Sequence, residues 1–439
     1  MDKTTNSIFR TINGKELRII RELGSGTQGT VYEAEYETSK EHVAFKLIDL
    51  SSLVDSAAFT SGVKKLLKVP SPSPMFLWPV DIVEQHNDSH DIFGYIMMLV
   101  PSGFYKLSHV LTSRDNQKKF RTFRVNETCA LNICGAFNCL HANLGASFMD
   151  INDDGIFVNP VTGDVLIGDC DNIRPNGGKS EVCGTPTFMA PELVTGKVPG
   201  PSVQTDYYSV SLLIFLLLTN QHPLEGKRFF ATTLMTREQD QLQYGSNPLF
   251  IMDPIRHENA PDPTLQRGFL QFWNRFPAYL RNTFTEEFSH RKLIENPLAR
   301  RSETDWISIL MRFRSETVFC PHCRKIHFAP MINRCERCDA PLAYYKVKAS
   351  GSRYPMLGVP GLVLYRPHFN FCDTMNRLDR TLFVGTMADG RTGIKNLSDS
   401  IIKLGGTANG VLHSGDTTPI KDGLIVEAFG GIVGFTKVD

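Results

Sequence analysis

FMDINDDGIFVNP (148–160), VLIGDCDN (165–172) and GTPTFMAPE (184–192) follow one another between Phe148 and Glu192. The first run sets Asp150 on a turn rich in acids and amides, ahead of the short apolar segment Ile156-Phe157-Val158. The second ends an apolar strand in Asp169-Cys170-Asp171, and the third runs from Gly184-Thr185-Pro186 to Ala190-Pro191-Glu192. Any one of these runs is ordinary turn and strand punctuation; their order carries the information. Carboxylates at the ends of short strands are candidates for holding a cation or orienting a hydroxyl.

Upstream, LRIIRELGSGTQGTVYEAEY (17–36) alternates apolar and polar residues on both sides of Gly24, Gly26 and Gly29, predicting two strands and a glycine-rich turn. The glycine spacing is weak evidence by itself, because a dinucleotide-binding turn shares it. A helix would follow that turn, whereas Val31, Tyr32 and Tyr36 follow here and favour a hairpin. His42-Val43-Ala44-Phe45-Lys46 reads as the next strand; alone, its lysine would be a solvated one.

In this order the motifs resemble a protein kinase, across about residues 10–312. The resemblance implies an ATP site built from Leu23, Gly24, Gly26, Gly29, Val31, Ala44, Lys46, Met98 and Val100. Turn amides and Lys46 would hold the phosphates, Val31 would pack on the adenine, and Met98 to Val100 would form the hinge behind Met97. It further implies Asp150 as the catalytic aspartate, Asp169 as a Mg2+ ligand, and a scaffold pair between Glu192 and Arg300 of Asn296-Pro297-Leu298-Ala299-Arg300. His141, in the Leu140-His141-Ala142 lead to the catalytic loop, reads as structural.

Several positions depart from the family pattern. No glutamate occurs between Lys46 and Glu84, so the helix glutamate that pairs with the lysine is missing; Gly62 stands near its place, and Asp55 reads as a helix N-cap. Phe148-Met149 replaces the usual His-Arg, which argues against activation by loop phosphorylation. Asn152 replaces a lysine, Gly155 replaces the metal-binding asparagine, and Asp169-Cys170-Asp171 replaces Asp-Phe-Gly. Strand alternation would return Asp171 to the face of Asp169, making it a second Mg2+ ligand, with Asp153 and Asp154 as turn alternatives. Two functions stay open: an ATP-dependent serine/threonine protein kinase acting on a protein partner, or a pseudokinase serving as a nucleotide-binding scaffold. A small-molecule phosphotransferase fits less well, because Gly-Thr-Pro and Ala-Pro-Glu build a platform for polypeptide.

Cys320, Cys323, Cys335 and Cys338 form two C-x-x-C knuckles eleven residues apart, the pattern of a closed structural Zn2+ site with His322 and His327 as bystanders. Beyond Tyr345, glycines and short β-branched runs predict a small β-sandwich whose end, DGLIVEAFGGIVGF, loosely resembles the last hairpin of forkhead-associated domains, with a docking role but no phosphothreonine site. The expected fold is α+β: an extension at 1–14, a bilobal kinase-like domain at 15–312 (N-lobe about 15–98, C-lobe about 102–312), a zinc ribbon at 317–343 and a β-rich domain at 345–439. With 47 basic against 46 acidic residues the chain has no global field for nucleic acid or an anionic membrane, and neither is expected as a partner. The apolar run Val210–Leu218 is too short to span a bilayer and reads as a buried helix, and the polar first residues suggest a cytoplasmic protein. With Asp150-Ile151-Asn152 in the catalytic loop and Asp169-Cys170-Asp171 after it, the chain also looks similar to bacterial eukaryotic-like (Hanks-type) serine/threonine kinases of tellurite-resistance-like operons, which implies a cognate phosphatase and a von Willebrand A-type protein as partners.

Overall fold

Alternating residues on both sides of the glycine turn build β2 (Glu16–Gly26) and β3 (Gly29–Tyr36), whose register closes on Gly26 opposite Gly29. A Cβ at Gly29 would collide with the Leu47 carbonyl, so the turn can lie this close to the next strand only with glycine there. That strand, β4 (His42–Ile48), joins β1 (Ile8–Arg10), β5 (Asp81–His86) and β6 (Asp91–Met98) in a six-stranded antiparallel sheet ordered β1-β2-β3-β4-β6-β5. The computed structural model describes residues 7–26, 29–86, 91–112, 123–178, 184–320, 322–328, 334–340, 342, 344–352, 355–370, 372 and 379–438. The turn tip at 27–28, within the glycine-rich segment, and the stretch 179–183, between the second and third runs quoted above, lie outside the described residues.

The chain divides into two units: Met1–Arg121, Ala136–Asp262 and Thr285–Glu303 form one, and Thr122–Gly135, Pro263–Phe284 and Thr304–Asp439 the other. In the first unit, α1 (Ser56–Leu66) starts at Asp55, whose carboxylate accepts the Ala58 N–H at 2.8 Å as an N-cap. Its Phe59, Val63 and Leu66 lie on one buried face, and Phe59 and Val63 pack with Ile48, Ile82, Phe93 and Tyr95 of the sheet. The helix carries no acidic residue.

Helix α2 (Leu107–Thr112) follows β7 (Tyr105–Lys106), and the long α3 (Phe123–Leu144) leads into β8 (Ala146–Phe148). Strand β8 pairs with β11 (Ile173–Pro175), and β9 (Ile156–Val158) pairs with β10 (Val165–Ile167), so the Asp150 turn and the Asp169 turn are pinned side by side. Helix α4 (Val203–Thr219) holds Leu212, Leu213, Ile214 and Phe215 fully buried, as the apolar run predicted. A Ser202–Thr205 capping box starts it and Asn220 ends it in the left-handed conformation at φ 54°. Among the described residues no helix is long and apolar enough to cross a membrane.

In the second unit, α5 (Arg267–Trp273), α6 (Ala278–Glu287) and α7 (Glu303–Ser315) contribute to a cluster of aromatic rings. Phe123, Phe272, Phe276 and Phe313 all meet Phe328, which directly follows the short strand Ile326–His327. Six strands then form one sheet and four another. Leu382 and Ile394 of the smaller sheet share one core with Val347, Val426 and Phe435 of the larger. The closing hairpin, Leu424–Ala428 with Gly431–Val438, is the one the sequence predicted, led by Gly423 at φ 78°.

Candidate active site

Antiparallel register places Ala44 of β4 opposite Met97 of β6, and Lys46 opposite Tyr95. Residues two apart on a strand share a face, so the lysine points the same way as Ala44, into a cleft of about 760 Å3 beneath the glycine turn. Leu23, Gly24, Gly26, Gly29, Val31, Ala44, Lys46, Met98 and Val100 all line that cleft, and so do Asp150 and Asp169. Asp171 is not on its wall.

Lys46 Nζ lies 2.8 Å from Asp169 Oδ1 and 3.0 Å from each oxygen of Asp171, and Tyr95 donates its hydroxyl to Asp171 Oδ1 at 2.6 Å. Burial disfavours a charged lysine here, yet Asp171 and then Asp169 outweigh it and hold the ammonium more firmly protonated than usual. Burial, reinforced by the same two carboxylates, pushes the Tyr95 phenol well above its ordinary range, so it serves as a neutral donor. The Asp169 side chain is 44% exposed and that of Asp171 is 0%, which separates a carboxylate that can change partners from one that cannot.

Asp171 does come beside Asp169, since both carboxylates meet Lys46 Nζ, but strand alternation is not what brings it there. Strand β10 ends at Ile167, Asp169 turns left-handed at φ 52°, and Cys170–Asn172 is a single 3-10 turn. Period-two alternation holds only in extended chain, so it is this turn that carries Asp171 to Lys46 and Tyr95. Tyr95 was not singled out from sequence, although its facing position follows once β4 and β6 are paired.

In the Asp150 turn, Asn152 Oδ1 accepts the N–H groups of Asp154 and Gly155, both at 2.9 Å, which spends that amide on shaping the loop. A Cβ at Gly155 would stand 3.5 Å from Asp169 Oδ2, so a side chain there would reach the exposed side of Asp169. Asp154 lines the cleft and accepts the Ser108 hydroxyl at 2.6 Å, whereas burial and then Asp154 push the Asp153 carboxyl up to about 6. Asp150 Oδ1 accepts the Thr185 N–H at 2.9 Å, joining the first and third sequence runs. Beneath the turn, Asp206 Oδ2 accepts the Phe148 N–H at 2.8 Å and meets His141 Nε2 at 2.9 Å, while His141 Nδ1 lies 3.0 Å from Glu303. Arg300 grips Glu192 through two bonds of 2.6 and 2.8 Å, the pair that the motifs implied.

The sequence model of the family described as Protein kinase domain matches residues 17–275, more than half of the chain. The chain belongs to the protein kinase domain family. It is similar to Serine/threonine-protein kinase AtPK2/AtPK19 of Arabidopsis thaliana, 22% identical over 61% of this chain and 55% of that protein. It is also similar to Protein kinase C delta type of Mus musculus, 29% identical over 46% of this chain and 29% of that protein. A third relative, cAMP-dependent protein kinase, catalytic subunit-like, of Caenorhabditis briggsae, is 24% identical over 48% of this chain and 52% of its own length. The chain thus spans from about a third to about half of the length of these relatives.

Outside the kinase cleft, the Sγ atoms of Cys320, Cys323, Cys335 and Cys338 all lie within 4.8 Å of one another. Cys320–Cys338 and Cys323–Cys335 are each 3.6 Å apart, close to the roughly 3.8 Å edge of a tetrahedron with metal–sulfur bonds of about 2.3 Å, so the set fits Zn2+. The Arg337 N–H points at Cys335 Sγ at 3.4 Å and His327 Nε2 lies 3.3 Å from it. His327, read from sequence as a bystander, therefore sits against a candidate ligand and orients it.

Proposed function

We propose that this kinase-family chain is an ATP- and Mg2+-dependent serine/threonine kinase that phosphorylates a protein partner. The carrying observation is that Lys46, Asp150 and Asp169, from three separate segments, converge on one cleft wall with the glycine turn. Turn amides and the Lys46 ammonium hold the nucleotide phosphates, and Asp150 orients the acceptor hydroxyl and takes its proton as the phosphoryl group transfers. Magnesium supplies neutralising charge to those phosphates when bound. The carboxylates placed to hold it are Asp169, half-exposed with its Oδ2 on the Gly155 side, and Asp154 on the same wall. Glu192, fixed by Arg300, anchors the segment on which the acceptor peptide rests.

The test is transfer of label from γ-labelled ATP to the chain itself or to a generic basic protein. Asp150→Ala should slow it by roughly 10^2- to 10^4-fold. The second reading, a nucleotide-binding scaffold, is favoured by Gly155, which leaves the space beside Asp169 without a ligand side chain. Nucleotide bound without any transfer by the wild type would select it.

Both readings require nucleotide binding, so Mg-ATP should raise the melting temperature. At a hundred times Kd the gain is about 2.7 kcal/mol of stability. A folded protein whose melting temperature ignores millimolar Mg-ATP would contradict both. For the remainder we propose the domain limits read from sequence: a kinase domain at 15–312, a zinc ribbon at 317–343 and a β-sandwich at 345–439 that docks partner proteins, among them a cognate phosphatase and a von Willebrand A-type protein. The four gathered thiols support a reducing, cytoplasmic setting, since an oxidising one would compete for them.

A further inference from the structure

We propose that Asp171 is a positioning residue: with Tyr95 it forms the permanent counter-ion of Lys46, the duty for which the family resemblance implies a helix glutamate. The inference rests on the kinase reading above. Helix α1 offers no carboxylate, and at Gly62, where one was expected, the nearest atom to an added Cβ is Arg174 Nη1 at 3.9 Å. That guanidinium donates to the Asp171 carbonyl at 2.5 Å and the Ile173 carbonyl at 2.9 Å, so it braces the turn from which Asp171 projects.

Both Asp171 oxygens face Lys46, one of them also takes the Tyr95 proton, and the side chain is wholly buried. A carboxylate so committed is a poor magnesium ligand, because turning to the metal would leave Lys46 and Tyr95 unpaired in the interior. Asp169 is the exchangeable partner. When nucleotide arrives, Lys46 can trade the exposed Asp169 for a phosphate and still be held by Asp171, while Asp169 is released to the metal. The lysine is thereby anchored by the same turn that carries Asp169, and its ion pair needs no movement of α1. The charge pair is set by the fold of one loop, so this kinase lacks the helix-borne switch that a lysine–glutamate pair provides.

The test compares wild type, Asp171→Asn, Lys46→Met and the double variant in the full chain, reading transfer, binding of a fluorescent ADP with and without Mg2+, and melting temperature. Asp171→Asn keeps the shape and removes the charge, and should slow transfer roughly 10^2-fold, with the larger change in kcat rather than KM. Because it acts through Lys46, it should cost nothing further in the Lys46→Met background. There it should instead raise the melting temperature, by neutralising a buried carboxylate that has lost its cation. The gain in ADP affinity on adding Mg2+ should be the same in Lys46→Met and the double variant. A smaller Mg2+ gain in the double variant would make Asp171 a metal ligand and overturn the proposal. So would transfer by Asp171→Asn at the wild-type rate. Wild type that binds no nucleotide would instead defeat the kinase reading itself. Should Asp171→Asn fail to fold, Tyr95→Phe, which removes only the hydroxyl donated to Asp171, should slow transfer in the wild type and cost nothing further in the Lys46→Met background; an equal cost in both would overturn the proposal.

Discussion

Purified protein should carry one zinc ion per chain, and removing it should unfold the segment around the four cysteines. The local core consists of Val318, Leu342, Tyr344, Leu357 and Val359 packed with Cys320 and Cys335 themselves, so two of the candidate ligands are also core residues. Without metal, the module must bury thiols that repel or clash as thiolates, and too little apolar surface remains to order it. Structural Zn2+ in comparably small modules supplies about 10–16 kcal/mol of apparent binding free energy, larger than the whole stability of a typical domain. Elemental analysis should return zinc at unit stoichiometry, and a strong chelator or Cys320→Ser should open the segment to protease. An intact digestion pattern after complete chelation would refute a structural metal.

His141→Ala should destabilise the protein by about 3–5 kcal/mol, since it strands Asp206 and Glu303 in the interior without their shared cation. Both carboxylate side chains are only 2% exposed. Burial alone would lower the imidazole, but Asp206 and Glu303 overcome it and lift His141 from 6.5 to about 9. A raised folded-state value means the stabilisation is fully present below pH 6.5 and is lost as pH rises through 9. The Asp206 carboxyl, raised by burial to about 6, also favours the protonated side, so neither group restores stability on the alkaline side. Over that window the wild type should lose on the order of 3 kcal/mol from this site. Melting curves from pH 6.5 to 9 should therefore fall more steeply for wild type than for His141→Gln. Parallel slopes would show that the histidine is neutral in the folded protein. Catalysis enters through the same network, because Asp206 also holds the Phe148 N–H two residues before Asp150.

Most of the cleft lining was legible in the sequence because its residues act through backbone geometry and strand alternation, which are local. Gly24, Gly26 and Gly29 could be placed from the alternation around them, and Ala44 and Lys46 from their spacing along one strand; all five line the cleft. The gathering of the four cysteines was equally legible, since two C-x-x-C knuckles impose thiolate geometry within a few residues. The Arg300–Glu192 pair spans 108 residues and was still foreseeable, but only through the family motifs at its two ends.

Asp171 marks the limit of that reading. Its distance of two residues from Asp169 suggested a shared face by strand alternation, but the chain there is a left-handed residue followed by a 3-10 turn, and the partner that both carboxylates meet, Lys46, lies 123 and 125 residues away. His141 is a similar case: two carboxylates from distant segments raise it, and nothing near it in the chain announces them.

The sequence by itself determined which segments are strands, turns and buried helix, where the glycine turn lies and which cysteines gather, because periodicity, glycine placement and ligand spacing act over a few residues. Only the tertiary structure decided which carboxylate neutralises Lys46, because a buried charge takes the partner that packing brings within hydrogen-bond reach. With no acid on α1, the partners within that reach were Asp169 and Asp171, and burial made Asp171 the permanent one.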